Sequence, residues 1–191
     1  LLAALIGYVL GSIPWAYMLV RAFRGIDIRT VGSKNVGTLN AYRATGSKAL
    51  AWAVLLLDLA KAVVAYLIAS VCCPDFLWVL PIAVVLGHNY PVWLKFRGGR
   101  GIAVFLVLAL LYNKVFFAAW VLLWLTGYLL SGYIAVGALS ALILAPIIAY
   151  VLGTPVLPIL LAEIPIFPRY VEKIRLLIKG ELPKHYWRSS A

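Results

Sequence analysis

Long apolar runs, almost free of charge, leave this chain little choice but to fold as membrane-embedded helices. Residues 1–20, 49–69 and 133–152 each supply the roughly 20 apolar positions that a straight span requires. Residues 76–87, 102–112, 115–130 and the proline-punctuated 155–168 are shorter runs of the same character. Hydrophobic residues make up 65% of the 191 and charged residues only 12%, about half the charged share of a soluble domain. The reading is all-α: a polytopic, seven-span bundle forming one transmembrane domain over 1–191, with a tail at 169–191.

The charges support that count. With the N-terminus outside, the inner segments are 21–48, 88–101, the turn near Ser131 and 169–191. They hold 6, 3, 0 and 6 of the 17 Lys and Arg residues, as the preference of basic residues for the cytoplasmic side requires. The first run has no basic residue before it and Arg21 and Arg24 after it, so it reads as a span and not as a cleaved leader. The net charge of +11 therefore reflects inner loops facing anionic headgroups and no nucleic-acid partner. Cys72 and Cys73 lack metal-ligand spacing and read as small apolar filler. No metal and no cofactor is expected. In the tail, Val171, Ile174, Leu177 and Ile178 recur at helical spacing among basic residues, the pattern of a short amphipathic helix on the inner surface.

Two of the inner loops are crowded with glycine and small polar residues. In the first, Gly32 and Gly37 free the backbone for left-handed angles that let successive N–H groups converge on an anion. Ser33, Asn35 and Asn40 add neutral donors and Arg43 adds a fork suited to phosphate. A helix starting after this turn would point its positive end at the same ligand. A plain basic turn accounts for the arginines but not for the amides and hydroxyl among the glycines. In the second loop, Gly98, Gly99 and Gly101 admit close backbone approach, and Arg97 and Arg100 flank the pair. The spacing is not G-x-x-x-x-G-K-S/T, so nucleotide binding is disfavoured. The pattern favours a phosphate.

His88, at a span end beside Gly87, reads equally as a structural hydrogen-bonder and as a substrate contact. The His-x-x-x-x-Asp dyad of soluble acyltransferases is absent, since Trp93 stands at the acidic position. Asp58 and Lys61, at i and i+3, share a helix face. As costly intramembrane charges they form a structural ion pair or the edge of a site. Ser12 and Glu163 pose the same question more weakly.

These motifs resemble the bacterial acyl-phosphate:glycerol-3-phosphate acyltransferase family of integral membrane enzymes. Its first motif runs near G-x-D-I/L-R-x-x-G-S-G-N-x-G-A-T-N-x-x-R. Asp27, Arg29, Gly32, Ser33, Asn35, Gly37, Asn40 and Arg43 match in register. Its second runs near G-H-x-x-P-x-F-x-x-F-K-G-G-K-G-V-A-T, matched by Gly87, His88, Pro91, Phe96, Gly98, Gly99, Gly101 and Ala103. Asp58 and Lys61 fit a D-x-x-K in the second span. Lys34 replaces a glycine, Thr38-Leu39 replaces Ala-Thr, Val104 replaces Thr, and Arg97 and Arg100 replace lysines. The third motif, near R-H-x-x-N-I-x-R-L-x-x-G-x-E, is echoed by Arg169, Ile174, Leu176 or Leu177, Gly180 and Glu181. Tyr170 and Lys173 stand where His and Asn are expected.

The resemblance implies a fatty acyl phosphate as donor, glycerol 3-phosphate as acceptor, and membrane lipids as surroundings, at the cytoplasmic face of a bacterial plasma membrane. It implies catalytic roles for Arg43, His88 and Arg100. Substrate contacts fall to Ser33, Asn35, Gly37, Asn40, Arg97, Gly98, Gly99 and Gly101, with Ser12, Lys61, Lys173 and Glu181 at the margin. An anion or lipid-headgroup transporter stands as the rival reading, and the weak third motif keeps open a relative of low activity that binds acyl phosphate.

Overall fold

The computed structural model describes residues 1–153 and 156–182, and among these there is no strand. They divide into two compact units, Leu1–Leu108 and Ala109–Ala191. The first contains α1 (Leu2–Gly11), α2 (Trp15–Arg24), α3 (Thr38–Thr45), α4 (Lys48–Cys72) and α5 (Leu80–Asn89). Single 3-10 turns occupy Pro74–Val79 and Val92–Leu94. Helix α6 (Ile102–Tyr112) runs across the boundary. The second unit contains α7 (Lys114–Ser131), α8 (Ile134–Val151), α9 (Val156–Glu163), a 3-10 turn at Phe167–Tyr170 and α10 (Val171–Ile178).

The first unit is assembled by removing side chains where helices touch. On α1 and α5, a Cβ on Gly11 would strike the Val84 carbonyl, and one on Gly87 would strike the Tyr8 carbonyl. A Cβ on Gly7 would lie 2.7 Å from that of Ala83. Without hydrophobic drive between helices in lipid, such close backbone packing is what holds spans together. Helix α4 begins at Ser47, whose Oγ accepts the Leu50 N–H at 3.2 Å. Its buried positions Ala51, Val54, Asp58, Lys61, Ala62, Ala65 and Ala69 recur every three or four residues, so one stripe faces α1 and α3 while Trp52, Leu56, Leu67 and Val71 point outward.

The first apolar run is broken. Pro14 lacks an N–H and disfavours helical angles at Ile13, so α1 stops at Gly11 and α2 restarts at Trp15. The break leaves the Ile13 carbonyl facing α4.

Among the described residues, five segments reach spanning length: Leu2–Arg24, Lys48–Cys72, Pro74–Leu94, Lys114–Ser131 and Ile134–Val151. This corrects the third and fifth runs upward, since the capping turns add helical residues that hydropathy alone does not count. It leaves two expected spans short. Helix α6 has 11 residues and α9 has eight, about 17 Å and 12 Å at 1.5 Å per residue, against a hydrocarbon core of roughly 30 Å. Pro165, two residues past Glu163, stops α9 early. Cys72 is exposed, Cys73 buried, and both are free thiols.

In the second unit α7 and α8 lie against each other through Gly127 and Gly137, where added Cβ atoms would meet Ser140 Oγ and the Trp124 carbonyl. Ala135, Ala138, Ala141, Ala145 and Ala149 bury one face of α8. Helix α10 realises the amphipathic pattern of the tail, whose final part, 183–191, lies outside the described residues.

Glu163, at the end of α9, is 2% exposed, and its Oε1 has no hydrogen-bond partner among the described residues. It borders a cavity of about 430 Å³ with Leu142, Ile143, Pro146, Leu160, Ile164 and Phe167. A buried polar oxygen without a partner costs about 1–3 kcal/mol. Glu163→Leu is therefore expected to raise the melting temperature of the detergent-solubilised protein by several degrees in a thermal-shift measurement.

Candidate functional site

The first loop is organised by Asn40. Its side chain is 1% exposed. The amide donates to the Ile28 carbonyl at 2.9 Å and the Val31 carbonyl at 3.1 Å. Its Oδ1 accepts the Ser33 N–H at 2.8 Å. Asn40 thus spends its capacity on the loop itself, which corrects its expected place among the donors offered to an anion. Its packing explains Gly32, whose φ is +55 and where a Cβ would run into Asn40 Oδ1. Gly37 departs from expectation in the other direction: its φ of −166 is extended, and it caps α3 instead of making a left-handed turn. The left-handed angle falls on Lys34, φ +56, at the position where the family pattern has glycine. Such an angle is uncommon for a residue bearing a Cβ.

A clamp closes the entrance to this loop. Arg29 donates to Asp27 from Nη2 at 2.7 Å and from Nε at 3.0 Å, and the Arg29 N–H adds a third bond at 2.9 Å. The guanidinium also lies 5.0 Å from the Tyr17 ring centroid. The hydrogen-bonded Arg29 holds the Asp27 carboxyl below the usual carboxylate range. Its contribution to stability is therefore present above that range and fades only as pH falls through the lowered value. Ser33 and Asn35 are half-buried at the turn, and Arg43 is exposed on α3.

The second loop folds back onto the end of α5. The Gly98 N–H donates to the Asn89 carbonyl at 3.0 Å and the Gly99 N–H to the His88 carbonyl at 2.9 Å. Lys95 and Phe96 take left-handed angles, φ +52 and +61, to make the turn. Gly98 has room for no Cβ against the His88 carbonyl. A Cβ on Gly99 would occupy the place of His88 Nε2. Gly101, φ +85, leads directly into α6. Arg97 is exposed and Arg100 half-buried.

The two loops meet. The Val36 N–H approaches the Gly98 carbonyl at 3.4 Å, and Ile28, Val36 and Ala41 share a buried cluster with Leu94 of the second loop. Each loop runs into a helix N-terminus, α3 and α6, where backbone N–H groups and the helix dipole favour an anion.

Beneath the second loop lies a cluster of charge. Lys61 Nζ stands 2.7 Å from Asp58 Oδ1, 2.8 Å from the Ile13 carbonyl and 3.0 Å from His88 Nδ1. Of the two readings the sequence left open, the structure shows the ion pair, and its lysine also reaches His88 at the end of α5. The Ile13 carbonyl and the link to His88 were invisible in sequence, because they join positions 48 and 27 residues apart. Ser12 serves as a latch: it accepts Trp93 Nε1–H at 2.8 Å and donates to the Val9 carbonyl at 2.8 Å. Tyr8 adds a second tie from α1, donating to the Tyr90 carbonyl at 3.0 Å. Lys173 stands on α10 and Glu181 follows it, both in the second unit.

Two adjoining glycine turns at helix N-termini, set among apolar spans, define an integral membrane protein. The family profile described as glycerol-3-phosphate acyltransferase matches residues 1–180. A glycerol-3-phosphate acyltransferase of Agrobacterium fabrum is 40% identical over 188 residues, covering 94% of this chain and 88% of the relative. One from Pelagibacter ubique is 38% identical over 146 residues, 76% of each chain. The crystal structure of PlsY (YgiH), an integral membrane glycerol 3-phosphate acyltransferase in its glycerol 3-phosphate form, superposes with a TM-score of 0.84 at 32% identity, covering 96% of this chain and 94% of that one. Its lysophosphatidic acid form gives 0.81 at 31% identity, covering 95% and 93%. The chain belongs to the glycerol-3-phosphate acyltransferase family.

Proposed function

We propose that this acyltransferase takes its acyl group from a fatty acyl phosphate and delivers it to the 1-hydroxyl of glycerol 3-phosphate, releasing lysophosphatidic acid and phosphate. The observation that carries this reading is the contact between the two anion-type loops. The reaction brings two phosphates together, and two adjoining cationic turns suit that task better than one.

The donor is a mixed anhydride, so no serine or cysteine nucleophile is needed. The acceptor hydroxyl oxygen bonds to the acyl carbon, the carbon–oxygen bond to phosphate breaks, and the hydroxyl proton passes to a phosphate oxygen of the substrate. The protein positions both reactants, worth several kcal/mol, and aims fixed donors at the charge that develops on the departing phosphate. Arg97, Gly98, Gly99, Arg100 and Gly101 hold one phosphate. Ser33, Asn35 and Arg43 hold the other, with Gly37 opening the N-terminus of α3. Asn40 shapes the loop that presents them.

The active site faces the cytoplasm in this reading, with the N-terminus outside and the inner segments at 21–48, 88–101, near Ser131 and 169–191. The seven-pass path needs α6 and the segment containing α9 to cross by joining their flanking turns. The whole chain serves one acyltransferase function in the bacterial plasma membrane.

The deciding assay supplies purified protein with palmitoyl phosphate and labelled glycerol 3-phosphate and follows labelled lysophosphatidate. Acyl-CoA and acyl carrier protein serve as control donors. Product from acyl phosphate alone is expected. Product only from a thioester donor would reject the proposed substrate, and labelled substrate crossing sealed vesicles without product would favour transport.

A further inference from the structure

His88 has two ring nitrogens, and its chemistry depends on which one carries the proton. Three acceptors surround Lys61 Nζ: the Asp58 carboxylate, the Ile13 carbonyl and His88 Nδ1, all within 3.0 Å. A lysine ammonium has three N–H donors and no acceptor. The match is complete, one N–H for each partner, and it requires His88 Nδ1 to accept. The alternative, a proton on Nδ1 directed at Asp58, is ruled out by distance: His88 Nδ1 and Asp58 Oδ1 are 3.7 Å apart, beyond a hydrogen bond. A proton on Nδ1 would also face the ammonium head-on.

We propose that Lys61, anchored by Asp58 and the Ile13 carbonyl, is a positioning residue that locks His88 as the Nε2–H tautomer. His88 then faces the glycine loop as a hydrogen-bond donor and offers no lone pair to the attacking hydroxyl. The inference rests on the acyl-phosphate reading given above for what that donor serves, and on geometry alone for the lock. The lone pair of Nδ1 is occupied by Lys61, and Nε2, which lies where a Gly99 Cβ would stand, carries the proton. Neither nitrogen is left to act as base. The arrangement assigns a purpose to an otherwise costly charge in the span. Asp58 pairs with Lys61 and aims it, and the break at Pro14 turns a backbone carbonyl toward it.

The test uses nitrogen NMR of the full chain labelled at histidine, with His185→Gln so that His88 is the sole histidine, alongside steady-state kinetics. Wild-type His88 is expected to show a protonated Nε2 and a hydrogen-bonded, unprotonated Nδ1. Lys61→Met is expected to give mixed tautomers and to lower kcat about 100-fold, with KM for glycerol 3-phosphate changed less than about threefold. A wild-type signal from protonated Nδ1, or from both nitrogens protonated, would overturn the lock even if Lys61→Met fails to fold. So would a folded Lys61→Met that keeps the wild-type kcat. If the Nε2–H signal is present but acyl phosphate yields no product, the reaction assigned above fails while the lock stands.

Discussion

Gly99→Ala should lower kcat/KM by at least about 10³-fold while leaving the helices assembled. The added methyl would occupy the place of His88 Nε2, so either the imidazole or the loop must leave its position. The ring is the softer of the two. Swinging it aside breaks its 3.0 Å contact with Lys61 and removes the donor from the glycine turn. A shift of about 1 Å at such a site costs about 10²-fold through misplacement alone, and loss of a preorganised donor costs a further 10-fold or more. The fold survives because Gly99 sits in a turn, not on the Gly7, Gly11 and Gly87 surface that joins α1 to α5. Kinetics with palmitoyl phosphate, paired with a thermal melt, separate the two effects. Near-normal turnover in a variant that melts like the parent would show that the turn does not carry the chemistry.

Arg100→Ala should have the next largest effect, lowering kcat by about 10²- to 10³-fold, or roughly 3–4 kcal/mol of transition-state stabilisation. Arg100 lies between Gly99 and Gly101 at the entry to α6, where a planar fork can grip a phosphate bidentately as the α6 N–H groups approach from below. Arg100→Lys tests the geometry: the family pattern has lysine there, so this variant should recover at least a tenth of the activity. An alanine variant with intact kcat and only a raised KM would assign the residue to capture instead of catalysis.

Much of this site was legible in the sequence because its signals are local. The glycine register, the basic residues and the placement of two helix starts behind the loops depend on residues a few positions apart, and the structure has α3 and α6 beginning at Thr38 and Ile102. The Asp58–Lys61 pair was legible for the same reason, being one helical turn apart. What could not be read was direction. Asn40 looks identical in sequence whether its amide faces a ligand or the Ile28 and Val31 carbonyls, and only the folded loop decides. The left-handed angle expected at Gly37 falls on Lys34 instead, because it falls where the turn needs it even when that residue has a side chain. The Lys61–His88 contact joins separate spans, and no periodicity announces such a meeting. Helix lengths were misread for a related reason: hydropathy counts apolar residues, whereas helical length also depends on caps, 3-10 turns and prolines.

The three glycines that let α1 and α5 touch backbone to backbone have a consequence for biogenesis. Ser12 and Tyr8 reach Trp93 and Tyr90 only because the two helices are that close, and the Ile13 carbonyl steadies Lys61 from the same segment. The N-terminal kinked segment is thus the jig against which a turn about eighty residues later is set. During synthesis, the newly inserted third segment must slide into register beside the first before the enzyme can gain activity. Truncation or mispairing early in insertion would yield a protein that resides in the bilayer yet never matures.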